Sequence, residues 1–201
     1  MSKKVGAIVL AAGKSRRMGT AKALLELQGK PLFRHAVDRA FANQLEPILL
    51  IAGEHGEAFR QVTSPTFPVE ILHNPDYETG MASSLRVGIT AVRGRVDAAL
   101  VFLADQPLVP DEVVRSLIET YQVGFDKGVR IVRPVYAGMA GHPVLFDASL
   151  FDELEEVTGD QGGKEVIGRH KQQLATVAFD NEQWGKDIDT PEEYQDVRNS
   201  L

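Results

Sequence analysis

Ala98-Ala-Leu-Val-Phe-Leu103 is apolar at every position. A strand with one face in water alternates apolar and polar residues. One that is apolar throughout is buried on both faces, as in a largely parallel sheet covered by helices. The run at 5–12 has the same character near the N-terminus. Working outward, the pattern predicts strands over 6–10, 47–51, 69–72, 98–103, 130–134, 143–146 and 175–179, with amphipathic helices between most of them. Leu32, Phe33, Ala36, Val37, Ala40 and Phe41 recur at helical spacing behind Pro31, which suits a first turn. Val113, Val114, Leu117, Ile118 and Tyr121 repeat the stripe, with Asp111 and Glu112 at its positive N-terminal end. Met81, Leu85, Ile89 and Val92 form a third stripe, read as core. Strands alternating with helices make a three-layer α/β domain with a mostly parallel central sheet, and 1–201 reads as one such domain. In these sheets ligands bind outside the carboxyl ends of the strands, so the chemistry is sought there.

Composition narrows the function. The chain has 201 residues, 28 acidic against 22 basic, and a formal charge of -6. Sequence-independent binding to DNA or RNA needs a net basic surface and is disfavoured. With no cysteine, disulfides, thiolate zinc sites, iron–sulfur clusters and a cysteine nucleophile drop out. No apolar run approaches the ~18 residues of a membrane span. The N-terminus reads as a first strand, not a signal peptide, and a bacterial-type cytoplasmic protein is the expectation.

After the first strand, Lys14, Arg16, Arg17 and Lys22 place four cations within nine residues of an acidic protein. Gly13 and Gly19 allow close backbone approach. An anion-binding loop accounts for this; a solvated basic loop is the other reading. It is not a Walker A loop, and Ser15 and Met18 stand where a dinucleotide fingerprint needs glycines. Asp105 leaves the end of a central strand, where a carboxylate meets Mg²⁺ or else caps the turn before Pro107. Thr190-Pro191-Glu192-Glu193 reads as N-cap, first-turn Pro and capping-box Glu, so Asp189 precedes a helix. Ser83 and Ser84 sit in a helix's first turn, where they either cap it or hold a ligand, and Asn74-Pro75 makes a turn before it. The five histidines show no metal-ligand spacing, and His142 lies in a loop between Gly141 and Pro143.

Leu10-Ala-Ala-Gly-Lys-Ser-Arg-Arg-Met-Gly-Thr-Ala-Lys22 resembles the opening motif of the nucleotidyltransferases with a Rossmann-like α/β fold. Within them the chain is most similar to the molybdenum cofactor cytidylyltransferases and their guanylyltransferase relatives. The likeness continues through 73–77, 80–85, 103–107, 141–145, 159–162 and 187–191. It implies Lys22, Arg17 and Asp105 as catalytic residues, Lys22 near the α-phosphate and Arg17 near the β- and γ-phosphates. It implies nucleotide binding by Leu10, Ala11, Ala12, Gly13, Ser15, Met18, Gly19, Asn74, Gly80, Ser83 and Ser84. His142, Asp160, Gly162 and Lys164 fall on the acceptor side. Lys164 stands where the family usually has Arg, so the bidentate fork is lost. Asp105 and Asp189 are the implied Mg²⁺ ligands, with Asp187 the alternative to Asp189. Gln106 and the Ala-Ala-Gly opening fit the cytidylyltransferase branch.

The reaction so implied moves CMP from CTP to the phosphate of a molybdopterin-type cofactor, by in-line attack with release of pyrophosphate. A molybdenum hydroxylase is the implied partner downstream, with no nucleic acid and no membrane involved. Alternatives are a guanylyltransferase, a sugar- or polyol-phosphate nucleotidyltransferase, and a non-catalytic protein that delivers molybdenum cofactor.

Overall fold

The computed structural model describes residues 2–13, 22–64 and 67–200. Its first half runs β1 (Val5–Leu10), a short hairpin of β2 (Glu26–Leu27) and β3 (Lys30–Pro31), α1 (Leu32–Ala42), β4 (Ile48–Ala52), α2 (Gly56–Val62), β5 (Glu70–His73) and α3 (Met81–Val92). There follow β6 (Ala98–Leu103), α4 (Asp111–Gly124), β7 (Ile131–Tyr136), β8 (Met139–Ala140), β9 (Val144–Asp147), α5 (Phe151–Glu156), α6 (Lys164–Arg169), β10 (Leu174–Phe179) and α7 (Pro191–Ser200). All seven expected strands are present, within two residues of their expected ends.

The main sheet has the order β10-β7-β9-β6-β1-β4-β5, with β8 paired to β7. β1 is parallel to β4 and β6, β4 to β5, and β7 to β10. β9 alone among the long strands runs against both its neighbours, β6 and β7. Alternation along each strand feeds two cores. Ala7, Val9, Leu100 and Phe102 face α1 and α4; Ile8, Ala99 and Val101 face α3, α5 and α6. These are the three layers. α3 lies tight on β1 because residue 88 is glycine: a Cβ there would stand 2.5 Å from Ile8 Cγ2.

Three expectations about the helices are corrected. Phe41 is 53% exposed, resting on the Phe67 ring at 5.4 Å instead of joining the core. Pro31 is the residue before α1, not in its first turn, because its backbone is extended by pairing with Glu26 in the hairpin. Met81 leaves the core stripe of α3 and is 36% exposed.

A third, smaller core positions the C-terminus. Leu27, Leu32, Ile188 and Val197 pack together, so α7 docks against the β2–β3 hairpin. The segment entering α7 is thereby drawn to the end of β6.

Candidate active site

β1 and β6 are in register, Leu10 beside Leu103, so both strands end at the same edge. The chain leaves them together: the Ala104 N–H donates to Leu10 O at 3.1 Å. A cleft of about 570 Å³ opens there. Of the residues singled out from the sequence, Leu10, Ala11, Ala12, Gly13, Lys22, Gly80, Ser84, Asp105, Asp160 and Asp189 line it. Lys14, Ser15, Arg16, Arg17, Met18 and Gly19 lie outside the described residues.

Three of these side chains meet. Lys22 Nζ donates to Asp105 Oδ2 at 2.7 Å and to Asp189 Oδ1 at 2.8 Å. Lys22 opens a short 3-10 turn pinned by buried Ala23. Asp105 stands two residues past the end of β6. Asp189 is placed by two devices. The Ile188 N–H donates to Asp105 O at 3.0 Å, joining the two segments. The capping box then forms as its spacing predicts: Glu193 Oε2 accepts from the Asp189 and Thr190 N–H groups at 2.7 and 2.9 Å, and Thr190 Oγ1 accepts from the Glu193 N–H at 3.2 Å. Those donors hold the Glu193 carboxyl below its usual pKa.

The structure separates Asp187 from Asp189. Asp187 Oδ1 accepts from Gln106 Nε2 at 2.7 Å, and the same amide donates to Gly185 O at 3.2 Å. Asp187 lies behind the cleft, where burial and then the Asp105 charge push its pKa up. Asp189 faces the cleft. Burial pulls the Lys22 pKa down, but Asp105 and Asp189 outweigh it, and the value stands above that of an ordinary lysine. The ammonium is therefore charged at any working pH.

The cluster suits a divalent cation. Two carboxylates already converge on one positive charge, and Asp105 Oδ1 is buried with no hydrogen-bond partner among the described residues. An ion of magnesium type takes one or two carboxylates and completes its shell from water and phosphate.

The opposite wall is the start of α3. Ser84 reaches the cleft, whereas Asn74 and Ser83 are buried behind it. Asn74 Nδ2 donates to Ser83 Oγ and Ser84 Oγ at 2.8 and 2.9 Å, and Ser83 Oγ donates to backbone carbonyls at Asp76 and Gly80. These two side chains position Ser84 and the turn at 74–80. Tyr77 and Met81 also line the cleft. Neither is among the expected site residues: Tyr77 closes the 73–77 segment without a role of its own, and Met81 fits an apolar stripe. Gly80 is required by its backbone: φ is +117°, and a Cβ would stand 2.6 Å from Gly159 O and Asp160 Oδ1. Gly80→Ala is expected to lower stability by about 3 kcal/mol, from strained φ plus overlap with backbone that cannot yield. Gly94→Ala, at φ +74° but with open space around it, is the control. It is expected to lose only about 1 kcal/mol. Equal urea midpoints for the two variants would refute the contact argument.

His142, Gly162 and Lys164 are not in the cleft lining, although Asp160 is. The loop between α5 and α6, which carries Asp160 and Gly162, packs on the start of α3: the Ala82 N–H donates to Gly159 O at 3.0 Å, and a Cβ on Gly162 would stand 3.0 Å from Met81 Sδ.

The chain is similar to several known proteins. The family description "MobA-like NTP transferase domain" matches residues 7–174. The purine catabolism protein PucB of Bacillus subtilis is 26% identical over 96% of both chains. The molybdenum cofactor cytidylyltransferase of Escherichia coli is 24% identical, covering 94% of this chain and 93% of its own. The molybdenum cofactor guanylyltransferase of Shewanella amazonensis is 28% identical, covering 100% of this chain and 99% of its own. Among solved structures, Rv0371c of Mycobacterium tuberculosis superposes with a TM-score of 0.85 at 27% identity over 99% of both chains. Its manganese complex superposes at 0.81 with 25% identity, covering 98% of this chain and 100% of that one.

Proposed function

The chain belongs to the MobA-like NTP transferase domain family, and from that premise we propose that it transfers CMP from CTP to the phosphate of a molybdopterin-type cofactor. It is a nucleotidyltransferase. The observation that supports nucleotidyl transfer is the Lys22–Asp105–Asp189 cluster at the floor of the cleft. An acceptor phosphate oxygen forms a bond to the α-phosphorus, the bond from that phosphorus to the bridging oxygen breaks, and pyrophosphate leaves with the electron pair. A phosphate monoester is a nucleophile near neutral pH, so no general base is needed. Charge grows on the α-phosphate oxygens and on the leaving group, and the permanently charged Lys22 ammonium stabilises it. Asp105 and Asp189 would hold Mg²⁺, which supplies Lewis-acid stabilisation of phosphate charge when bound. Ser84, the chain at 10–13 and Gly80 shape the nucleotide end of the cleft, and Asp160 the acceptor end. Orientation carries the rest of the rate. A molybdenum hydroxylase is the consumer of the product on this reading.

Cytosine specificity rests on the likeness to the Escherichia coli enzyme and on Gln106, which ties the end of β6 to Asp187. A guanylyltransferase is the second reading, favoured by the full-length match to the Shewanella protein. A delivery protein has no use for a charged lysine held between two carboxylates. The test is thermal melting with CTP, GTP, ATP and UTP, each with and without Mg²⁺. A nucleotide at a hundred times its Kd stabilises the fold by about 2.7 kcal/mol. A Mg²⁺-dependent shift with CTP alone is expected. A shift with GTP alone supports the second reading, and no shift with any nucleotide refutes both.

A further inference from the structure

The two aspartates assigned to the divalent cation are already bonded to a cation of the chain's own. Lys22 Nζ lies 2.7 Å from Asp105 Oδ2 and 2.8 Å from Asp189 Oδ1. A magnesium-type ion binds carboxylate oxygen at about 2.1 Å. On the same two oxygens it would stand against the ammonium, and like charges repel steeply at that range. The other oxygen of Asp105, Oδ1, is buried. What the cleft offers a cation at Asp105 is therefore the oxygen that Lys22 holds. The Lys22 side chain is 15% exposed against 48% for Asp189, so the ammonium is tucked between the carboxylates.

One of the two cations must give way, and the local structure says how. The carboxylates are fixed through their backbone. The Ile188 N–H donates to Asp105 O, and the Asp189 N–H donates to Glu193 Oε2. Ile188 is itself held in the small core with Leu27, Leu32 and Val197. Lys22 is fixed only at its main chain, where its carbonyl accepts from the Leu25 N–H at 3.0 Å. Its ammonium ends a flexible four-carbon stem and can swing without moving a strand or a helix. Polyphosphate oxygens in the cleft are charged acceptors that can replace both carboxylates.

We infer that Lys22 is an internal counter-ion that keeps divalent cations off Asp105 and Asp189 until a nucleotide's polyphosphate takes its ammonium. This rests on the nucleotidyl-transfer reading and adds to it the control of its cation site. Cation and nucleotide then enter together, and by linkage each raises the affinity for the other by the same factor. The same side chain keeps the two carboxylates from facing one another uncompensated, and is handed to the phosphates where transfer needs it.

The probe is Mn²⁺, followed by electron paramagnetic resonance as it is added to the full chain without nucleotide or acceptor. Lys22→Met keeps the apolar stem and drops the charge. It is expected to bind Mn²⁺ about tenfold or more tightly than the unaltered chain, the scale on which one charge a few ångströms away moves an equilibrium. A lysine that only scaffolds the aspartates predicts the opposite, a loss of affinity. Lys22→Gln, also neutral, shows the same gain if Lys22→Met does not fold. Adding Asp105→Asn to either variant is expected to abolish the gain, and a gain that survives it lies elsewhere on the acidic surface and overturns the inference. Equal or weaker Mn²⁺ binding by the lysine variants overturns it too, whatever the nucleotide melts show. Release is tested with inorganic triphosphate, which carries the charges without a base and so does not depend on nucleotide choice. The Lys22 ammonium resonance, assigned by its loss in Lys22→Met, is expected to move as triphosphate is added without divalent cation. A resonance that stays in place overturns the release.

Discussion

Lys22→Ala is expected to reduce turnover about a hundredfold or more, the scale of losing one fixed stabiliser of transition-state charge. Lys22 is the only described residue that bonds to both Asp105 and Asp189, at 2.7 and 2.8 Å, and its ammonium stays charged because both carboxylates raise its pKa. Alanine removes that charge and leaves two carboxylates facing one another. The variant's need for divalent cation is therefore expected to hold or fall, not to rise. That separates lost charge stabilisation from a collapsed cation site, which would raise it. Pyrophosphate release measured across a series of Mg²⁺ concentrations decides. Near-normal turnover would remove Lys22 from the chemistry. A lower turnover with a steeply raised Mg²⁺ requirement would recast it as a scaffold for the two aspartates.

The second large effect belongs to Asp105. Asp105→Asn keeps shape and removes charge, so the end of β6 and its bond from Ile188 are expected to persist. Turnover is expected to fall about a thousandfold, the several kcal/mol attributed to a metal's stabilisation of phosphate charge. The melting temperature without ligand serves as the folding control. Asp105 Oδ1 is buried and has no hydrogen-bond partner among the described residues, as a ligand atom for a cation would. Activity retained at ordinary Mg²⁺ would refute its role as a ligand.

Both positions are legible in the sequence. Asp105 follows an unbroken apolar strand, and the carboxyl end of a central strand is where such sheets bind ligands. Lys22 stands in a basic loop of an acidic chain. The capping box at 190–193 was equally legible, since its residues are three apart and form their own hydrogen bonds. What was misread was local as well. Met81 and Phe41 fit helical stripes, but a stripe's end residues are buried only if a neighbouring element covers them. Met81 borders a cleft and Phe41 meets a single ring. Asn74 and Ser83 have the polar atoms of ligand-binding residues and spend them on one another.

The sequence alone determined the alternation of elements, the burial of the central strands on both faces, and the two carboxylates at segment ends. Those follow from short-range periods and from chemistry within a few residues. Only the tertiary structure decided the direction of β9, whose four buried residues look the same read either way. It decided that Asp189, 84 positions beyond Asp105, comes to the lysine while Asp187 goes to Gln106, two residues apart and on opposite errands. Such pairings are set by which distant surfaces pack, here the small core that docks α7 on the β2–β3 hairpin, and no local period records them.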